Sequence, residues 1–150
     1  MKCLSVSQPF ADLIIHGKKT IELRRWNTSF RGEFLIHSPL KIRIDDCKRL
    51  KINQKNLIKG AIIGKVEIYE VKKYNSKSEM AKDAKKHLAS KEFKNNKYGF
   101  CLKNAKAFKV PIPTKGQLGF FEVKAPKIKK SEIITDLIDE EYRYQWIGHH

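Results

Sequence analysis

The segment Gly60-Ala61-Ile62-Ile63-Gly64-Lys65-Val66-Glu67-Ile68-Tyr69-Glu70-Val71 constrains this chain more than any other. An apolar run passes into a stretch where Val66 and Ile68 alternate with Lys65 and Glu67, the two-residue period of a strand with one buried face. Gly64 interrupts the apolar run, and a glycine inside a strand marks a bulge or a bend. A long bent strand curls a sheet toward a barrel, so the rest of the chain must supply its neighbours.

Those neighbours are legible. Lys2 to Val6 reads as a short strand, Glu33 to His37 as a buried one between an Arg31-Gly32 turn and Ser38-Pro39, and Tyr98 to Leu102 and Gln117 to Val123 as two more. Between the first two, Ser7 reads as a helix N-cap with Pro9 in the first turn and Phe10, Leu13 and Ile14 on one face. Gly17 then serves as a left-handed C-terminal cap, and Lys18 to Leu23 is extended. Weaker helical patterns span Asp45 to Leu50 and Ser76 to Leu88, the latter with Met80, Ala81, Ala84 and Leu88 on one face. Val110 to Gly116, with two prolines and a glycine, reads as an extended loop followed by a turn.

About five to six short strands with helices between them, and no repeated strand-helix-strand period, predict an α+β fold: a mixed β-barrel with peripheral helices. With 150 residues and 41% hydrophobic content the chain makes one domain. Its body is expected over residues 1–124. Residues 125–150 are expected to be a Lys-rich linker and an acidic tail helix, Ser131 to Glu141 with Ser131 as N-cap, rather than a second domain. The closing Gly148-His149-His150 reads as the remnant of a tag and is assigned no metal.

Lys and Arg total 32 against 16 Asp and Glu, a net charge of +16 that attracts polyanions. Charge alone does not identify the partner, because most of the basic residues are Lys and lysine enrichment also accompanies thermostability. Cys3, Cys47 and Cys101 form neither an even disulfide set nor a closely spaced metal-ligand pair, so no metal or other cofactor is expected. There is no basic leader followed by an apolar stretch, and no run long enough to span a bilayer; a cytoplasmic location away from membranes is the expectation.

The densest polar cluster is Gly17-Lys18-Lys19-Thr20-Ile21-Glu22-Leu23-Arg24-Arg25-Trp26. On an extended chain Thr20, Glu22 and Arg24 share one face, and Ile21 and Leu23 take the other. With Lys19 beside them they make a polar wall, in which the cations hold an ionised Glu22 through charge-assisted hydrogen bonds. Such a wall can read the Watson-Crick edge of an unstacked base while Trp26 or another aromatic stacks on it. The same residues also suit a plain ion-pair network on a strand surface.

The sequence resembles the ASCH family, whose members share a PUA-like fold. The resemblance is carried by Leu4-Ser5-Val6-Ser7-Gln8-Pro9-Phe10-Ala11, by Gly17-x-Lys19-x-x-Glu22-x-Arg24 with Trp26, by Arg31-Gly32 and by Leu35-Ile36-His37. It continues through Gly60-Ala61-Ile62-Ile63-Gly64, Tyr98-Gly99-Phe100 with Leu102, and Pro113-x-Lys115-Gly116 with Leu118-Gly119-Phe120-Phe121. It therefore covers about residues 2–123, and ordered agreement across several blocks is far more specific than one short motif.

The resemblance implies a PUA-like barrel with a basic cleft that binds RNA, another single-stranded nucleic acid or a nucleoside. Lys19, Glu22 and Arg24 would line the cleft, with Ser7, Gln8, Trp26 and Lys115 as further binding residues. Some small members of the family are amidohydrolases acting on N4-acetylcytidine, with a lysine, a threonine three positions later and a distant glutamate. Lys19 matches that lysine, but Glu22 stands in the threonine position, so catalysis by Lys19 and Glu22 would require Glu22 to act as general base on a water. Other members are ribonucleases. His16 and His37 read as a helix end and a strand end, not as the acid-base pair of such an enzyme.

Overall fold

The computed structural model describes residues 1–135. Its strands are β1 (Lys2–Ser5), β2 (Ile21–Arg24), β3 (Gly32–Ser38), β4 (Ala61–Lys73), β5 (Tyr98–Pro113), β6 (Phe120–Glu122) and β7 (Ile133–Ile134). The helices are α1 (Phe10–Ile15), α2 (Ile44–Arg49), α3 (Lys77–Lys82) and α4 (Ala84–His87). The strands join in the order β2-β5-β4-β3-β1-β6, with β7 also on β5. Pairing is antiparallel throughout except between β1 and β3, which run parallel with Leu4 opposite Ile36 and Ser5 opposite His37. The result is a mixed half-barrel with a few peripheral helices, the α+β class expected.

The bend in β4 lies where the glycine predicts it, since the register with β5 shifts between Ile62 and Gly64. Gly64 is also where α1 comes down on the sheet. A Cβ there would stand 2.5 Å from the Lys106 carbonyl oxygen and 2.6 Å from Ile15 Cγ2, so any larger residue would drive the helix off. Around this contact Phe10, Ala11 and Ile14 of α1 bury against Phe34, Ile36, Ile63, Val66 and Ile68 of the sheet. Full burial of such a side chain is worth roughly 1.5–3 kcal/mol, which is why a helix this short can persist. Cys3, Leu35, Ile62, Phe108 and Phe121 form a second apolar cluster, so the sheet is covered on both faces.

Four local expectations change. α1 starts at Phe10 with Pro9 at its N-cap; Ser7 contributes its carbonyl, which accepts from the Phe10 and Ala11 N–H groups, and not its hydroxyl. The helix expected over residues 76–88 is divided at Asp83, whose carboxylate is drawn inward by the Tyr74 hydroxyl at 2.6 Å and by Lys72 at 2.8 Å. β5 runs on through Pro111 to Pro113, because there it pairs only with β4 and the missing proline N–H groups leave no ladder on its other side unmade. Residues 130–132 form a 3-10 turn and Ile133–Ile134 pair with β5, in place of the start of the tail helix. The remainder of that helix and the terminal histidines lie outside the described residues.

Candidate functional site

Gly17, at φ +76°, closes α1 and turns the chain so that the N–H groups of Lys18 and Lys19 donate to the Leu13 carbonyl. This sends the Lys19 side chain inward, where it is 2% exposed. Its ammonium has three N–H donors and all have acceptors: the Ile21 carbonyl at 2.7 Å, the His87 carbonyl, and Glu22 Oε1 at 3.3 Å. It also lies 4.9 Å from the centre of the Phe10 ring. Burial pushes the Lys19 pKa below its ordinary value, against the opposing pull of Glu22.

Glu22 is gripped from its other side by Arg24, whose Nε lies 3.1 Å and Nη2 2.9 Å from Oε2. The same Nη2 donates to the Ser5 carbonyl at 2.8 Å, tying β2 to the end of β1. Glu22 and Arg24 thus share one face of β2, as the alternation predicts, and form one wall of a cavity of about 190 Å³. Arg43, Phe93 and Asn96 also line it, and the Asn96 amide nitrogen donates to the Leu23 carbonyl of β2 at 3.4 Å. Arg43 lies 4.5 Å over the Phe93 ring and is paired with Asp46 at 2.7 Å and Glu92 at 2.6 Å. Phe93 meets Phe10 edge-on at 5.7 Å. The lining carries three cations, Lys19, Arg24 and Arg43, against one carboxylate, Glu22, which Lys19 and Arg24 share, while the partners of Arg43, Asp46 and Glu92, stand outside the lining.

Four of the anticipated residues meet here: Ser7, Lys19, Glu22 and Arg24. Gln8 is buried elsewhere, with its amide nitrogen on the Ile58 carbonyl and its amide oxygen accepting from the Asp12 N–H. Trp26 packs edge-on to Phe100 at 5.2 Å and Phe120 at 5.7 Å, beside the core rather than in the cavity. Lys115 lines a separate groove of about 680 Å³ with Ser5, His37 and Gly116. Arg43, Phe93 and Asn96 were not anticipated, since they lie in stretches without periodicity or motif.

The arrangement suits recognition. Glu22 keeps acceptor capacity toward the cavity, Arg24 and Asn96 bring donors, and Phe10 and Phe93 bring aromatic surface. Among the described residues no group of three or more His, Cys, Asp or Glu could hold a metal ion. No helix among them is long and apolar enough to cross a membrane.

A family model described as the ASCH domain matches residues 4–112. No curated protein matches. Among solved structures, the crystal structure of ASCH from Zymomonas mobilis is similar over 87% of this chain and 89% of that one, with a TM-score of 0.57 and 14% identity. Two mutant forms of the Zymomonas mobilis protein give a TM-score of 0.59 at 13% identity, over 82% of this chain and 87% and 89% of theirs. At this identity the likeness is one of fold, and it agrees with the PUA-like architecture.

Proposed function

The chain belongs to the ASCH domain family, and on that premise we propose that the cavity beside β2 binds one unstacked base of an RNA or other single-stranded nucleic acid, or a free nucleoside. The observation that carries this reading is the Glu22 carboxylate, held at the cavity wall between Lys19 and Arg24. A carboxylate fixed in this way accepts from the amino group of a base, as acidic side chains do from cytosine N4. It repels the carbonyl oxygen that uracil has in the same place. A cavity of about 190 Å³ is smaller than a drug-sized pocket, in keeping with one base or part of a nucleoside. The net charge of +16 supplies a field that gathers the phosphates of a longer strand.

The hydrolytic readings draw less support. Lys19 has no N–H left for a developing oxyanion, and its role in this geometry is to position Glu22.

Titrating the protein with a short single-stranded RNA at several salt concentrations, and with cytidine and uridine, tests the proposal. RNA affinity is expected to fall steeply with salt, and cytidine to bind about tenfold more tightly than uridine, the value of one good hydrogen-bonded pair. Glu22→Gln should erase that preference. Absence of binding to RNA, single-stranded DNA and nucleosides at low salt would overturn the reading.

A further inference from the structure

Ser5 also faces the second groove, and there it meets a histidine. The parallel register of β1 and β3 sets Ser5 beside His37, and Ser5 Oγ lies 2.8 Å from His37 Nδ1. The other ring nitrogen, Nε2, lies 2.7 Å from the Thr114 carbonyl oxygen. A carbonyl oxygen only accepts, so Nε2 carries the proton and Nδ1 offers its lone pair to the Ser5 hydroxyl. The tautomer is thereby set with the base aimed at the hydroxyl. His37 is 1% exposed, whereas Ser5 is only partly buried and forms part of the groove wall. The nucleophile is at the surface and its base lies behind it.

The loop over the pair is shaped to it. A Cβ on Gly116 would stand 2.7 Å from Ser5 Oγ and 2.7 Å from His37 Cε1, so only glycine lets the backbone come this close. The N–H groups of Gly116 and Gln117 donate to nothing among the described residues, so the exposed loop beside Ser5 keeps two unengaged backbone donors. The groove is also lined by Pro39, Leu40 and Leu118, the last two 76% and 99% exposed. A hydroxyl, an oriented base, unengaged backbone donors and an apolar wall are the parts of an acyl-transfer site.

We propose that Ser5 and His37 form a nucleophile–base pair that hydrolyses carboxylic esters of a short apolar acyl group. Ser5 Oγ bonds to the acyl carbon while its proton passes to His37 Nδ1. The imidazolium, still donating Nε2–H to Thr114, returns a proton to the alkoxide as the ester C–O bond breaks. Water then attacks the acyl-Ser5 carbonyl, losing its proton to Nδ1; the acid leaves and the hydroxyl is restored. Thr114 orients the base with a neutral carbonyl in place of a carboxylate, so turnover should be slow. Gly116 is a positioning residue.

The test uses the full chain with p-nitrophenyl butyrate and with a fluorophosphonate. We expect a single fluorophosphonate adduct, found by peptide mass spectrometry on Ser5, and ester turnover that this adduct abolishes without any change of sequence. Absence of the Ser5 adduct, or turnover that survives it, overturns the proposal. Ser5→Cys gives a second measurement: beside His37 the introduced thiol should react with iodoacetamide at pH 6 at least tenfold faster than free cysteine. Background is low, because burial pushes the Cys3 thiol up to about 12 and also raises Cys47 and Cys101. Reaction no faster than free cysteine also counts against the pair.

Discussion

Ser5 joins two polar sites that handle burial in opposite ways. Its carbonyl accepts from Arg24 in the first cavity, and its hydroxyl bonds His37 in the second groove. The first site buries charge. Lys19 and Glu22 are both nearly excluded from water, and the ammonium is satisfied by two carbonyls and a carboxylate. The second site is a chain of neutral hydrogen bonds from Ser5 through His37 to Thr114. Buried ions are expensive to desolvate and tolerate no missing partner, while a neutral chain is cheap to form and sensitive mainly to geometry. The first site is therefore suited to holding a fixed pattern, and the second to moving a proton.

The largest effect that would break this contrast is Lys19→Ala. It leaves Glu22 buried with Arg24 alone and strips the Ile21 and His87 carbonyls of a donor. Urea unfolding should show a loss of about 3–5 kcal/mol, as for other broken buried pairs. A loss below about 1 kcal/mol, the range of a surface pair, would mean that the charged site is not the interdependent unit described.

Gly116→Ala probes the neutral site. The added methyl must displace Ser5, His37 or the loop, and because the loop is exposed and can give, the expected destabilisation is at the low end of that for overpacking, about 1 kcal/mol. The His37 ring nitrogens should change their NMR shifts, while Lys19 and Glu22 should not respond. A response at Glu22 would show the two sites to be coupled through Ser5.

The smallest effect is one of pH. Burial holds the His87 pKa below its ordinary 6.5, and its carbonyl is one of the Lys19 acceptors. Between the lowered folded pKa and 6.5 the unfolded chain binds a proton that the folded chain refuses, so stability is fully present above 6.5 and is lost as the pH falls through the folded value. The melting temperature should drop on acidification through this window, with part of the drop absent in His87→Gln. An unchanged profile in that variant would remove His87 from the account.

Much of this was readable in the residues. The alternation along Lys65 to Ile68 and Gly64 foretold a long bent strand, and α1 ends at the glycine that should end it. That Glu22 and Arg24 share a wall followed from spacing, because residues two apart on a strand share a face whatever surrounds them, whereas Lys19 lies outside β2 and joins them through the turn at Gly17. Other elements depended on what lies alongside. Two prolines read as a loop, yet β5 runs through them where it has one neighbour; a helical stretch divides because Tyr74 and Lys72 capture Asp83. Trp26, an apparent stacking platform, became part of the aromatic packing beside Phe100 and Phe120.

What the sequence determined by itself was therefore local: which side chains share a face, where α1 stops, and that Glu22 and Arg24 stand side by side. The tertiary structure alone decided which distant groups those faces meet. The carbonyl of His87 reaches Lys19 across 68 positions, Ser5 meets His37 across 32, and Thr114 lies 77 from His37. Backbone geometry repeats every few residues and so appears in the spacing of residue types. The separation of two faces depends on strand order and loop closure, which no short pattern encodes.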